Sequence, residues 1–309
     1  MFKYIIRRIL LLIPVMLGVA LIVFTLLYFT PGDPARNKLG TNAPLEEVLK
    51  LREKMGLDDP FVVQFGRYLK NFIFYGSLGE SYITEQSVVL EISTRVGSTI
   101  KLAIAATLVS IILGIPLGIV SAIKQYSVFD HITMVFALIG LSMPVFWLGL
   151  LMILLFSVKL AWLPSSGFSS FKHIILPALA LGAQSVAVLT RMTRSSMLET
   201  IRQDYIRTAR AKGQKEKIVV FKHALGNSLI PVITVVGIQF GQLMGGAVMT
   251  EIIFSIPGIG RLMIDSIKLR DAPVVLGCVL FVAVAFAVVN LVVDILYTYV
   301  DPRLKTQYT

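Results

Sequence analysis

Residues 102–123 read LAIAATLVSIILGIPLGIVSAI, twenty-two positions without a charge between Lys101 and Lys124. A bilayer core needs roughly 17 to 25 apolar residues at helical rise, so this run has the length to cross one. In hydrocarbon the backbone groups meet no water, and a single segment satisfies them internally only as a helix. Five further charge-free runs repeat the pattern at 9–29, 132–158, 174–190, 229–250 and 272–293, with 21, 27, 17, 22 and 22 residues. Tilt or overhang absorbs the surplus of the longest run. The predicted fold class is all-α, a polytopic membrane protein with six transmembrane helices.

Composition agrees with that reading. Of 309 residues, 56% are hydrophobic and only 15% charged, with a mean hydropathy of +0.80. Soluble domains carry about 25% charged residues. The net charge of +11 on its own would suit nucleic acid, but the apolar excess makes a lipid bilayer the partner and turns the charge into a question of placement. Cys278, the only cysteine, lies in an apolar run and reads as a small core residue. Lys3, Arg7 and Arg8 precede the first run as they would in a signal peptide. That run exceeds an h-region of about 7 to 15 residues, and Tyr28, Phe29 and Thr30 offer no small-residue cleavage site, so it is expected to be a retained helix.

Lysine and arginine in short loops set orientation. With the N-terminus in the cytoplasm, fifteen basic residues face inward: three at the N-terminus, Lys124, nine between 191 and 222, and Arg303 and Lys305. Short outer loops carry five. Both termini are therefore expected in the cytoplasm. The layout that follows is an N-terminus and first helix over 1–29, an extracytoplasmic segment over 30–101, a five-helix core over 102–300 with an inner loop at 191–228, and a tail over 301–309.

In the outer segment nine acidic residues cancel nine basic ones. Pro31, Gly32 and Pro34 end the first helix. Val48, Leu49, Leu51, Met55, Val62, Phe65, Leu69 and Phe72 recur at near-helical spacing, which predicts short amphipathic helices forming either a passive cap or a docking surface. In the inner loop, Met197, Ile201, Tyr205 and Ala209 fall at successive i+4 positions with Arg202, Arg207, Arg210 and Lys212 beside them. This predicts one amphipathic helix, a left-handed cap at Gly213, and a second short helix over 216–225. Such a knob either attracts anionic lipid or docks a partner.

Catalytic signatures are missing. The chain has no Gly-Lys pair, hence no phosphate-cradling GxxxxGK[ST] loop. His131, His173 and His223 are far apart in sequence, without HExxH, and Gly-x-Ser-x-Gly is absent. No catalytic residue, no metal site, no resident cofactor and no nucleic-acid partner are predicted; the chain reads as a transport protein without its own energy source. Within the membrane, Gly237, Gly241 and Gly245 form a stripe suited to close helix packing. Gln239 and Gln242 lie about 130° from that stripe at 3.6 residues per turn, where they either line a pore or bond to a neighbouring helix. Asn290 and Asp294 share a face of the last helix and are further pore candidates, or, for Asp294, a partner for a loop arginine. Pro116, Pro144, Pro177 and Pro231 each remove a helical hydrogen bond and permit a kink.

In this topology a longer series of motifs acquires meaning. Tyr4-Ile5-Ile6-Arg7-Arg8 and Pro31-Gly32-Asp33-Pro34 are followed by Arg207-Thr208-Ala209-Arg210-Ala211-Lys212-Gly213, then His223-Ala224-Leu225 and 227–231. Phe254-Ser255-Ile256-Pro257-Gly258-Ile259-Gly260-Arg261-Leu262, Arg270-Asp271-Ala272-Pro273 and 290–302 complete it. The chain resembles the membrane permease subunits of ABC importers for dipeptides, oligopeptides, nickel and glutathione. That resemblance implies the type I permease fold in a bacterial or archaeal inner membrane, with this chain as half of a heterodimeric pore. It implies as partners a second homologous permease, two ATP-binding subunits that hold ATP and magnesium, and an extracytoplasmic substrate-binding protein. Residues 207–213 would form the ATPase-coupling segment, a variant EAA motif with Arg207, Thr208 and Ala209 at the EAA positions and Gly213 as its glycine. Pro257, Gly258 and Arg261 would contact the binding protein. The expected cargo is a short peptide, with a nickel or glutathione importer as alternatives, and a self-sufficient channel or secondary carrier as the reading from another class.

Overall fold

A computed structural model describes residues 2–40 and 42–300; the expected tail at 301–309, with Arg303 and Lys305, lies outside the described residues. The described chain is helical, and its sole β feature is an isolated bridge between Glu80 and Ser87. In order the helices are α1 (Phe2–Phe29), α2 (Pro34–Leu39), α3 (Leu45–Met55), α4 (Phe61–Tyr75), α5 (Val88–Ile123), α6 (Val128–Ser142), α7 (Val145–Met152), α8 (Phe171–Ile201) and α9 (Asp204–Ala211). They continue as α10 (Glu216–Ile218), α11 (Leu225–Gly246), α12 (Val248–Ile253), α13 (Ile259–Leu269) and α14 (Ala272–Val300). Two π-helical segments, Ile153–Lys159 and Val219–Ala224, extend α7 and join α10 to α11.

Five helical stretches have the length and hydropathy to cross a membrane: Ile5–Phe29, Val88–Ile123, Phe171–Ile201, Glu216–Gly245 and Ala272–Ile295. The run at 132–158, expected as one helix, departs from that expectation. Val128–Ser142 and Val145–Lys159 meet at 106°, so they make a sixth span only as a broken one. Pro144 stands at the break as the residue before α7, where the missing N–H and the ring block a continuous helix. Pro116, Pro177 and Pro231 sit inside unbroken helices.

The chain divides into two compact units, one built on Ile100–Ile256 with the chain from Phe286 onward, the other on Ile5–Thr99 and Pro257–Ala285. In the first, α8 is the hub and packs on α6, α7, α11 and α12. Its buried face is rich in small residues, among them Ala178, Ala180, Gly182, Ser185, Ala187 and Thr193, and such residues let helix backbones approach closely where lipid supplies no hydrophobic drive. The approach to α5 is reciprocal. A Cβ on Gly182 would stand 2.8 Å from Ala106 O, and one on Gly118 only 2.6 Å from Thr190 O and Thr193 Cβ.

The second unit carries the short amphipathic helices expected of the outer segment. Phe24 of α1 meets Phe61, Phe65 and Tyr68 of α4 at ring separations of 5.4, 5.2 and 6.5 Å. Arg52 of α3 bridges Asp33 and Asp58 at 3.0 and 2.7 Å. The returning strip that contains α13 is bonded to these short helices and the start of α5: Ile259 N donates to Thr99 Oγ1 at 2.9 Å and Asn37 Nδ2 to Leu269 O at 3.1 Å. Buried Asp271 accepts from Ser81 Oγ and Tyr82 N. Val88, Ile92, Ile259, Leu262, Val274 and Cys278 close the apolar core beneath, so Cys278 is the core residue expected.

Candidate functional site

The knob differs from its prediction in register. α8 stops at Ile201, Gln203 takes an extended conformation, and α9 restarts at Asp204. The spacing of 197, 201, 205 and 209 therefore does not describe one helix. After the restart Ile206 and Ala209 are buried while Tyr205 is 43% exposed. Ile206 and Ala209 join Met197 of α8, Ile119 and Ala122 of α5, and Val219, Val220 and Ala224 of the π segment in one cluster. The second helix, expected over 216–225, is helical as α10 and the π segment, and runs without a break into α11.

Gly213 ends α9 as expected, at φ +75° with its N–H on Arg210 O at 2.9 Å. Across that turn Arg210 forks onto Glu216, Nε to Oε2 at 3.1 Å and Nη2 to Oε1 at 2.6 Å. These bonds raise the Arg210 guanidinium above its ordinary pKa. His223 Nε2 donates to Gln214 Oε1 at 2.7 Å, and Asn227 Nδ2 to Tyr205 Oη at 2.8 Å. Of the seven residues 207–213, Ala209 alone is buried, and Arg207, Thr208, Arg210, Ala211, Lys212 and Gly213 are exposed. The result is a cross-braced basic projection whose inner side is pinned by apolar contact.

Two of the three glycines in the stripe pack as its pattern requires. A Cβ on Gly237 would fall 2.2 Å from Val293 Cγ2 and one on Gly241 3.2 Å from the Phe286 ring, so α11 lies tightly on α14, whereas Gly245 is exposed. Gln239 Nε2 donates to Ser185 Oγ of α8 at 3.2 Å, and Gln242 is exposed. Asn290 and Asp294 are half-buried on α14. Pro257 is exposed, Gly258 is buried at the head of α13, and half-exposed Arg261 lies 3.6 Å from Asp265. These three residues line, with Glu91 and Arg95, a cleft of about 300 Å³.

One cluster near the knob was not foreseen. Asp130, 3% exposed in the first turn of α6, accepts Arg194 of α8 through both oxygens, each at 2.7 Å. Ser121 Oγ of α5 also donates to it, and Tyr126 N does so at 3.0 Å. Tyr126 itself stands at φ +64°, a left-handed conformation that costs a side-chain-bearing residue about 1–2 kcal/mol and persists where the surroundings impose it. Arg194 keeps 22% of its side chain exposed, but removing it would still leave a buried carboxylate without its counter-charge. Sixty-four positions separate Asp130 from the arginine it binds. The spacing of Gly114 and Gly118, four apart on α5 as in the stripe on α11, was the available signal for the close α5–α8 contact beside it.

The family described as "Binding-protein-dependent transport system inner membrane component" matches residues 114–306, and its N-terminal companion, "Binding-prot-dependent transport system membrane comp, N-term", matches 1–103. A "Dipeptide transport system permease protein DppB" from Alkalihalophilus pseudofirmus is 45% identical, over 99% of this chain and 100% of that protein. A "Glutathione transport system permease protein GsiC" from Pectobacterium atrosepticum is 43% identical over 99% of both. Among solved structures, an inward-facing form of the MetNI methionine ABC transporter superposes with a TM-score of 0.56 at 16% identity, covering 69% of this chain and 97% of that one. At that identity the likeness shows the fold alone.

Proposed function

The chain belongs to the family of binding-protein-dependent transport system inner membrane components, as an ABC importer permease of the peptide class, and from that premise we propose that its cargo is a short peptide crossing a pore it half forms. One observation carries the cargo class: two relatives matched end to end are named for a dipeptide and for glutathione, and glutathione is itself a small peptide. The projection at 207–213 is the part that meets an ATP-binding subunit. Its exposed basic residues and its bracing suit an element that is pushed rather than one that folds on contact. ATP and magnesium belong to two such partner subunits, and this chain carries out no bond chemistry.

In this reading both termini and the knob are cytoplasmic. Closure of the ATP-binding subunits displaces the knob, and its anchors in α8 and α11 pass the movement to the membrane helices. A substrate-binding protein delivers cargo at the opposite face, where Pro257, Gly258 and Arg261 are the contact residues. Gln242, Asn290 and Asp294 face the path, with a second homologous permease completing it, while Gln239, bonded to Ser185, ties α11 to α8. Reconstitution into vesicles with a second permease, the ATP-binding subunits and a loaded binding protein tests all of this. ATP-dependent peptide uptake is expected, with loss on omission of any component; uptake by this chain alone would establish a channel or carrier instead.

A further inference from the structure

We propose that Asp130 and Arg194 form a clasp that makes the knob-side ends of α5, α6 and α8 move as one piece, so that displacement of the knob reaches α5 and α6 as well as the α8 and α11 that anchor it. The inference rests on the importer reading above and deepens it.

Three observations carry it. Asp130, on α6, gathers donors from two other membrane helices and the turn before its own: Ser121 on α5, Tyr126 in the turn and Arg194 on α8. α5 and α8 are in backbone contact at Gly118, beside Thr190, Thr193 and Arg194, so the ends being joined are already touching. The knob's apolar cluster is seated on those same ends, through Ile119 and Ala122 of α5 and Met197 of α8. α11 leaves the knob differently, through the π segment and with Pro231 a few residues on. Movement entering at α9 is thus shared among α5, α6 and α8, while α11 receives it through Val219, Val220 and Ala224 of the same cluster. Apolar contact alone lets helices slide; a charged fork with fixed geometry resists that. Asp130 and Arg194 are positioning residues, remote from the cargo.

The test uses the complete reconstituted complex and reads three quantities: assembled complex, ATP hydrolysis and peptide uptake. Asp130→Asn and Arg194→Gln are expected to assemble and hydrolyse ATP while peptide carried per ATP falls between about twofold and thirtyfold, the span of coupling changes seen for residues that touch neither ligand. The exchange Asp130→Arg with Arg194→Asp is expected to recover part of that ratio. A purely structural role lowers assembly, hydrolysis and uptake together and leaves the ratio untouched, which overturns the proposal. Should neither single variant assemble, Arg194→Lys, which keeps the charge but not the fork, decides by the same ratio. A wild-type complex that takes up no peptide overturns the importer reading itself, and the clasp with it.

Discussion

Two glycines of this chain are required for opposite reasons, and substitution separates them. Gly213 needs its φ of +75°, but no heavy atom lies within 4 Å of where a Cβ would sit. Leucine there meets only the left-handed backbone penalty, about 1–2 kcal/mol, and alters the shape of an exposed turn. Gly213→Leu is therefore expected to insert and melt close to wild type, while ATP hydrolysis is uncoupled from uptake in the reconstituted importer. Gly118 has ordinary backbone geometry but no room: Thr190 O is 2.6 Å from a Cβ position, and backbone atoms cannot rotate away. Overpacking of this kind costs about 1–3 kcal/mol. Gly118→Leu is expected to lower the amount of protein in the membrane and its melting temperature in detergent. The opposite assignment of losses to the two sites would show that both have been misread.

Among the elements, α9 and α10 are held at their angle by the Arg210–Glu216 fork. Both side chains are largely exposed, and an exposed pair contributes about 0.2–1 kcal/mol to stability. Reversing one charge is thus expected to leave folding intact and to loosen the knob. Arg210→Glu should reduce uptake per ATP at unchanged protein level, and adding Glu216→Arg should restore it; if the double variant stays as poor as the single, the fork does not brace the knob. How far these elements could be read in the sequence depended on which force shapes each. The charge-free runs were legible because hydrocarbon leaves a lone segment no structure but a helix, and residues 102–123 lie within α5 as read. A charge-free run says nothing of direction, so Pro144 was legible as a place for a kink but not as a turn of 106°. The i+4 series through Tyr205 was extended across Gln203 because periodicity carries no stop signal, and after the break Ile206 took the buried place. Asp130 and Arg194 find one another only in three dimensions, since neither lies on a shared local pattern.

At the scale of the whole molecule, the charges and the sole cysteine make orientation measurable. Cys278 is fully buried, so a membrane-impermeant maleimide has no native target among the described residues. Lys70 of α4 and Lys212 beside the knob are both exposed. In right-side-out vesicles, Lys70→Cys is expected to label at once and Lys212→Cys only after permeabilisation. Labelling in the reverse order would place the knob outside and remove the basis for its meeting an ATP-binding subunit. The excess of nine basic over three acidic residues between 191 and 228 would then lie on the side that the positive-inside rule disfavours.

The π segment at Val219–Ala224 bears on any picture of the face this helix turns to the pore. A wheel drawn through Glu216–Gly245 as uniform α-helix slips by about one residue at that segment, roughly 100° of azimuth. Gly237, Gln239, Gly241 and Gln242 lie together beyond the slip and keep their mutual angles. Their bearing relative to the knob is what shifts, so the two ends of one span are aimed independently, and a single-residue insertion or deletion between 219 and 224 would re-aim the glutamines without changing a side chain on the wheel.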